Sequence, residues 1–311
     1  MSDRLEELRA LLEKIRLHWR WGRSQGFRRL IEEDELDPVV RLSNRVRRWR
    51  WRRAHPMTPG SAVPVFLVGA QRSGTNMVVR GLQRCPEFEV YNENNDQAFD
   101  SFRLRSDATI ASIIRASRHR YVLFKPLIDS SRVDALLDDL DIETNGRALW
   151  VYRNVDDRVR SSLAKFGDTN LRALEDIARG GTDRWEAQGL SPDKLEVIRS
   201  FDYRSLSPAS GSALFWYLRN SLYFELKLDR REDVLLVSYD AFVQHPGAEM
   251  RVVCRALDFP WRSSLVSGVR RRSPGVPERL PLEPSIRKLC DELQCRLEAT
   301  RVGSSTRITR M

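Results

Sequence analysis

The chain has 311 residues, and 53 Lys and Arg against 43 Asp and Glu give it a formal net charge of +10 at pH 7. This length suits one large α/β domain with appendages. The charge favours anionic partners such as nucleotides, phosphorylated or sulfated substrates, nucleic acid or acidic lipid, although an arginine-rich composition without functional meaning explains it equally well. No apolar stretch approaches the roughly 20 residues of a membrane span. The four scattered cysteines exclude a disulfide scaffold and the usual zinc-site spacings.

The first 60 residues are predicted to form an extension outside the main domain. Leucines at helical spacing indicate an amphipathic helix over residues 3–19. Residues 41–53, RLSNRVRRWRWRR, are strongly basic with two interleaved tryptophans. The part from Arg45 to Arg53 either contacts an acidic polymer or a membrane surface, or is a solvated segment whose tryptophans cover the edge of the domain. The charged N-terminus lacks the apolar centre of a signal peptide, which predicts a cytoplasmic location.

The spacing of apolar runs predicts the fold of the remaining chain. A linker rich in proline and glycine at residues 55–61 precedes an α/β domain at 61–275, and a C-terminal helix and tail occupy 276–311. Strands are expected at 65–68, 121–125, 148–152 and 234–237, and helices at 132–140, 157–166, 214–228 and 284–299, with loops over 94–118 and 166–211. Strands that alternate with helices indicate a parallel sheet covered on both faces. We therefore predict a P-loop-like α/β fold with about four to five parallel strands.

The first predicted strand runs into a turn with two glycines. Gly69 and Gly74 bracket four residues, as in the phosphate-binding loop G-x-x-x-x-G-K-[ST], but Thr75 and Asn76 stand in place of its last two residues. A cation comes earlier in the turn, as Arg72. Ligands bind beyond the carboxyl ends of parallel strands, so we expect backbone N–H groups, hydroxyls and Arg72 to bind a phosphate here. The lysine that serves a γ-phosphate with Mg²⁺ is missing.

A second candidate for phosphate binding follows the strand at 148–152. Arg153 would lie at the end of this strand, and Ser161, eight residues later, would lie in the following helix. Together the two side chains could hold a second phosphate at a fixed distance from the first. Alternatively, Arg153 simply pairs with Asp156 or Asp157.

Taken together, these residues resemble the sulfotransferases that use 3′-phosphoadenosine 5′-phosphosulfate (PAPS). That family binds the 5′-phosphosulfate with a loop x-[KR]-[ST]-G-T-[TS], here QRSGTN, and the 3′-phosphate with an Arg eight residues before a Ser. A third block, VSYDAFVQHP at 237–246, matches the family's strand followed by Y-[ED]-x-[LF] and a proline. The resemblance covers about residues 63–261. It implies that the PAPS-binding residues are Arg72, Ser73, Gly74, Thr75, Asn76, Arg153, Ser161 and Tyr239.

The chain is most similar to the tyrosylprotein and related carbohydrate branch of this family, whose loop has arginine. In that branch a glutamate follows a short P-[DE]-hydrophobic segment, and PEFEVYNE at 86–93 puts Glu93 at the matching place. The resemblance implies that Glu93 is the base, with Glu89 as the fallback. It also implies that Lys125, together with Arg72, stabilises charge on the departing oxygen; the alternative for Lys125 is a surface lysine at a sheet edge. None of the four histidines fits the histidine base of the cytosolic branch.

The resemblance implies in-line transfer of a sulfuryl group from PAPS to an acceptor hydroxyl without a metal. The acceptor would be a carbohydrate, a lipid-linked sugar, a peptide tyrosine or a small metabolite. Two other functions stay open. A P-loop small-molecule kinase or NTPase would need the missing lysine and an acid for Mg²⁺, for which Asp240 is the one candidate. A non-catalytic protein would instead bind acidic polymers through its Arg/Trp segment.

Overall fold

The computed structural model describes residues 38–271 and 278–310, with side chains over 46–271 and 278–303. The helix predicted over residues 3–19 lies outside the described part. The chain divides into two compact units, residues 1–54 and 55–311. In the first unit, helix α1 spans Pro38–Ala54 and contains the whole basic stretch. The sequence here has high helix propensity because arginine is a good helix former, and glycine and internal proline are absent from it.

The second unit is built on a five-stranded parallel sheet. In chain order its strands are β1 (Val63–Gly69), β2 (Phe88–Tyr91), β5 (Tyr121–Phe124), β6 (Arg147–Tyr152) and β7 (Val234–Ser238). Their order across the sheet is β2-β5-β1-β6-β7, so β1 is central. A separate two-stranded hairpin consists of β3 (Phe99–Asp100) and β4 (Arg103–Leu104). The predicted α/β fold with about four to five parallel strands is confirmed.

Helices follow the strands and cover the sheet. They are α2 (Thr75–Gln83), α3 (Asp107–Ala116), α4 (Val133–Asp138), α5 (Val155–Phe166), α6 (Thr169–Ala178), α7 (Pro192–Arg199), α8 (Pro208–Glu225), α9 (Tyr239–Gln244), α10 (Pro246–Ala256) and α11 (Pro284–Arg310). Short 3₁₀ turns occur at Ile128–Arg132, Trp185–Ala187, Leu228–Arg230 and Ser263–Val266.

Strand β1 is buried on both faces, as its unbroken apolar sequence predicts. Phe66 and Val68 face a large core shared with α5, α8 and α11, whereas Val65 and Leu67 face a second core under α2 and α10. All four side chains are fully buried. Burial on both faces fixes the register of this strand, because a slip by one residue would exchange the two sets of side chains between cores of different shape. The strand is therefore a rigid base for the loop that follows it.

The structure differs from the sequence-based prediction in two loops and at the start of one helix, where the local sequence indicates secondary structure only weakly. The stretches 94–118 and 166–211 are not simple loops, since they contain the β3–β4 hairpin, α3, α6 and α7. The helix predicted over 214–228 begins earlier, at Pro208, because the Ser207 side chain caps it by accepting from the Ser210 N–H at 3.1 Å. Within the described residues, no helix combines the length and the apolar character that crossing a membrane requires.

Candidate active site

The loop after β1 lies at the carboxyl end of the central strand, and only glycine fits two of its positions. Gly69 has φ 128°, and a Cβ on it would lie 2.3 Å from the Val151 carbonyl oxygen of the neighbouring strand. Gly74 has φ 91°, and a Cβ there would lie 2.0 Å from the Tyr239 ring. Arg72 also adopts a left-handed conformation, at φ 69°, which non-glycine residues rarely do. Such a backbone persists only where its surroundings hold it, and strain of this kind is typical of binding loops.

Arg72 joins the loop to helix α5. Its Nε donates a hydrogen bond to the Ser161 hydroxyl at 3.1 Å. The two motifs predicted to bind separate phosphates are therefore in direct contact, although 89 residues separate them in sequence.

Arg153 lies at the carboxyl end of β6, as predicted. Its side chain stacks on Tyr239, the residue that follows β7. Its guanidinium carbon lies 4.6 Å from the centre of the Tyr239 ring. It also pairs with Asp157 at 3.5 Å, the alternative that the sequence left open. Asp156 pairs with Arg287 instead. Because the distance between Arg153 and Asp157 is long for a hydrogen bond, Arg153 keeps donor groups for another partner.

Lys125 connects the loop to the predicted base. Its Nζ donates to the Asn76 side-chain oxygen at 2.8 Å and lies 3.5 Å from the Glu93 carboxylate. Lys125 is buried, so the alternative of a surface lysine at the sheet edge is wrong. Asn76 accepts through its amide oxygen here, so this bond does not use its NH₂ group.

Glu93 is a carboxylate with a strongly perturbed environment. Burial raises its pKa, and Asp129 adds to this effect, whereas Lys125 and a hydrogen bond from the Leu127 backbone N–H lower it; the net pKa is raised. A raised carboxylate pKa increases the proton affinity of the group, which suits a general base.

Glu89, the fallback for the base, is held elsewhere. Its carboxylate accepts from the Ser117 hydroxyl at 2.6 Å and from the Tyr91 hydroxyl at 3.1 Å. Ser117 follows α3 and precedes β5, so it lies towards the amino end of that strand. The hydrogen bonds of Glu89 therefore stabilise the fold away from the loop. Glu93 instead contacts Lys125, the lysine that reaches the loop.

Three buried polar atoms around the loop have no hydrogen-bond partner in the protein. They are the Ser73 hydroxyl, Nε of Arg153 and Nη2 of Arg158. Leaving a buried donor unpaired costs about 1–3 kcal/mol. Three such donors around one glycine loop, two of them guanidinium atoms, fit a site that takes an anion with several acceptor oxygens.

Arg158 is a member of this site that the sequence analysis missed. It is fully buried, and its Nε donates to the Gln71 carbonyl oxygen in the loop at 3.1 Å. Its Nη1 donates to the Ser212 carbonyl and hydroxyl oxygens, both at 2.9 Å. A signal was available in the sequence, since Arg158 occupies the buried stripe of α5 together with Val155, Val159 and Ser162.

None of the carboxylates that the structure describes pairs with the charge of Arg158. Burial, and secondarily the nearby charge of Arg72, lower its pKa to about 9, and the thiol of Cys290 is the other group that influences it. The guanidinium stays charged at pH 7. A buried cation without a counter-ion is costly, so this position favours a bound anion.

Asp240, the acid that an Mg²⁺-dependent enzyme would require, is engaged with the backbone. Its carboxylate accepts from the Asn154 N–H at 2.6 Å. Asn154 in turn caps α5 by accepting from the N–H groups of Asp156 and Asp157. The Tyr239–Asp240 pair therefore fixes the N-terminus of the helix that carries Arg158 and Ser161.

Comparison with known proteins gives no match to a family model and no match to a curated protein. Solved structures with a similar fold include a sulfotransferase from Alicyclobacillus acidocaldarius, with 18% identity, covering 77% of this chain and 96% of the other, at a TM-score of 0.43. A mouse sulfotransferase in complex with PAP has 12% identity, with coverages of 77% and 87% and a TM-score of 0.42. The sulfotransferase domain of the Synechococcus PCC 7002 olefin synthase has 12% identity, with coverages of 76% and 98% and a TM-score of 0.41. These similarities are too distant to assign residue roles, which depend on the geometry of the site.

Proposed function

We propose that this protein is a sulfotransferase that moves a sulfuryl group from PAPS to a hydroxyl group of an acceptor. The observation that carries the proposal is one chain of contacts: Glu93 to Lys125, Lys125 to Asn76 in the loop, and Arg72 in the loop to Ser161. This chain links a candidate base, a candidate charge stabiliser and both candidate phosphate-binding motifs. These contacts support a single site built from residues that the resemblance implies.

The donor would be held by the loop and by the two strand ends beside it. The loop N–H groups, the hydroxyls of Ser73 and Thr75, and Arg72 would bind its 5′-phosphosulfate. Arg153 and Ser161 would bind its 3′-phosphate. Tyr239 would position Arg153 by stacking on its guanidinium group. The same ring lies against Gly74, which would hold the loop beside Arg153.

In the transfer step, the acceptor oxygen attacks sulfur as the bond from sulfur to the bridging phosphate oxygen breaks. The acceptor proton goes to Glu93, and the bond electrons go to the departing 5′-phosphate of PAP. Protonation neutralises Glu93, so it releases Lys125 from the ion pair. The charge of Lys125, with that of Arg72, would then stabilise the leaving oxygen. This scheme needs positioned charges and a base but no divalent metal.

Arg158 would supply a buried counter-charge to the donor. Its hydrogen bond to Gln71 fixes the loop, and its unpaired Nη2 leaves one donor available. Binding of a polyanion would relieve the electrostatic cost of placing Arg72 and Arg158 near each other.

The acceptor would approach from the side of the β3–β4 hairpin. The Leu104 N–H donates to Asp129 at 2.8 Å, and Asp129 is close enough to Glu93 to raise its pKa. The hairpin turn, Ser101 and Phe102, has positive φ at both residues and exposes the Phe102 ring. An exposed ring on the hairpin that contacts Asp129 would suit a sugar, a lipid-linked sugar, a tyrosine or a small hydroxylated metabolite. We propose a cytoplasmic location, to which the four free cysteines are suited.

Transfer of labelled sulfate tests the proposal directly. The purified full chain is incubated with ³⁵S-labelled PAPS and a panel of hydroxylated acceptors from the four classes, with and without EDTA. We expect label in at least one acceptor, with PAP as the co-product and no effect of EDTA. A protein that transfers no label to any member of the panel, or only in the presence of Mg²⁺, would contradict the proposal.

Ligand-induced stabilisation gives a second, acceptor-independent prediction. PAP should raise the melting temperature of the protein more than ATP with Mg²⁺ does, because the site offers cations for two separate phosphates rather than a lysine for a γ-phosphate. The measurement is differential scanning fluorimetry at matched nucleotide concentrations, with adenosine as a control. Greater protection by ATP with Mg²⁺ would favour the kinase or NTPase alternative.

A further inference from the structure

Helix α1 carries a concentrated positive charge that the proposed reaction does not use. Its 17 residues, PVVRLSNRVRRWRWRRA, include seven arginines and no acidic residue. The sequence of α1 thus carries a strongly positive charge, which is opposite in sign to that of an anionic surface.

One face of α1 combines this charge with exposed apolar groups. Four residues of the helix are spaced three, one and three positions apart, which places them on one face: Val46, Trp49, Arg50 and Arg53. Val46 is 42% exposed and Trp49 is 48% exposed. Only four large hydrophobic side chains are exposed in the part of the chain that the structure describes, and two of them are on this face.

The contacts of Trp49 indicate what this face can bind. The Arg53 guanidinium lies 4.4 Å from the centre of the Trp49 ring, which keeps the ring on the surface beside a cation. An aromatic ring with a polar edge and a neighbouring cation suits the boundary between lipid headgroups and acyl chains. A nucleic acid could use the arginines and stack on Trp49, but it offers no apolar phase for Val46. A lipid surface accommodates all four side chains, whereas a nucleic acid would leave Val46 without an apolar contact.

We propose that the Val46–Trp49–Arg50–Arg53 face of α1 binds the surface of a membrane that contains acidic phospholipids. The helix would lie in the plane of the interface, with Val46 and Trp49 at the acyl boundary and the arginines at the headgroups. This inference is independent of the sulfotransferase proposal, because it uses none of the residues of the candidate active site.

Vesicle co-sedimentation of the full chain tests this proposal. Vesicles of phosphatidylcholine mixed with phosphatidylserine should retain the protein at physiological salt, and vesicles of phosphatidylcholine alone should not. Changing Arg50→Gln and Arg53→Gln together should weaken retention about 30-fold, since each arginine near an anionic surface contributes about fivefold. Trp49→Ala should weaken it several-fold at unchanged net charge, because the apolar contribution is lost.

Matched controls separate a specific face from general charge. Arg199→Gln with Arg204→Gln removes the same charge from exposed positions elsewhere and should leave retention unchanged, as should Phe102→Ala, which removes another exposed ring. Equal loss in the control and α1 variants would overturn the proposal, as would failure to bind phosphatidylserine vesicles. Trp49→Ala retention equal to the parent would show that charge alone holds the protein on the vesicles, and this would also overturn the proposal. Displacement from vesicles by a short single-stranded RNA at equimolar phosphate would identify a nucleic-acid surface instead and overturn it as well.

Discussion

Replacing Glu93 by glutamine should lower the rate of sulfuryl transfer by about 10²- to 10⁴-fold, the usual contribution of a positioned general base. Glutamine keeps the size of the side chain and can still accept from the Leu127 N–H, but it cannot take the acceptor proton. The ion pair to Lys125 is lost, whereas the hydrogen bond from Lys125 to Asn76 does not depend on Glu93. Steady-state transfer of labelled sulfate from PAPS measures the effect.

Nucleotide binding separates a base from a structural residue. Glu93→Gln should keep the stabilisation by PAP that the parent protein shows, because the described contacts link Glu93 to the loop through Lys125. Glu89→Gln is the matched control, since it removes a carboxylate from the same segment and should leave most of the activity. Loss of PAP binding in Glu93→Gln would assign this residue a structural role, and a larger loss of activity in Glu89→Gln would make Glu89 the base.

The pH dependence of the transfer rate also tests whether Glu93 is the general base. Only the carboxylate form of Glu93 can act as a base, so the rate should fall as the pH drops through the pKa of this group. Burial raises that pKa, so the fall should begin at a higher pH than it would for an ordinary glutamate, whose pKa is about 4.3. In Glu93→Gln, the residual rate should lack this dependence. A parent profile that stays flat down to the pH of acid unfolding would contradict the assignment.

The fold and the outline of the site could be predicted from the sequence because their signals are local. An unbroken apolar run such as Val65–Val68 indicates a strand buried on both faces, and the glycines after it mark the loop. Once parallel strands are predicted, the residues after each strand must meet at one edge of the sheet. Arg153 was found in this way and Lys125 through the resemblance, and the structure places both at strand ends.

The remaining features depend on contacts between distant parts of the chain. Asn76 is a departure from the family pattern in sequence, and its role as a partner of Lys125, 49 residues away, becomes visible only in the fold. Strand β2 was not predicted because it is a short edge strand that contains Glu89 among its apolar residues. The hairpin turn at Ser101 and Phe102 was not predicted because it lacks the glycine or asparagine that usually indicates such a turn in a sequence.

Arg158 was given no role from the sequence because an arginine in a helix is usually exposed, although its spacing from Val155, Val159 and Ser162 places it on the buried stripe of α5. The structure places it among backbone and hydroxyl oxygens, and none of the described carboxylates pairs with it. Among the residues with described side chains, two arginines are fully buried on helices next to the sheet, and they differ in this respect. Arg219 of α8 also donates to backbone carbonyls, but it lies near Glu186 and Asp129. This difference provides a matched pair of variants.

Replacing Arg158 by methionine should weaken PAP binding by about 30-fold or more, the effect expected when one partner of a buried charge pair is removed. Methionine fills similar space without charge, so the loop loses its hydrogen bond at Gln71 and the bound phosphate loses a counter-charge. Arg158→Lys keeps the charge and should recover part of the affinity, although it lacks the planar fork that serves Gln71 and Ser212 together. Isothermal titration calorimetry with PAP measures these affinities.

Two comparisons distinguish a counter-charge from a packing role. Arg219→Met removes a similarly buried cation that has Glu186 and Asp129 nearby and does not contact the loop in any described hydrogen bond, so it should lower the melting temperature and leave the affinity for PAP close to that of the parent. The dependence of PAP affinity on salt should be shallower in Arg158→Met than in the parent, because one fewer charge contributes to binding. Equal affinity and equal salt dependence in Arg158→Met and the parent would show that Arg158 only supports the fold. Loss of affinity in both methionine variants would point to general destabilisation rather than to a specific charge at the loop.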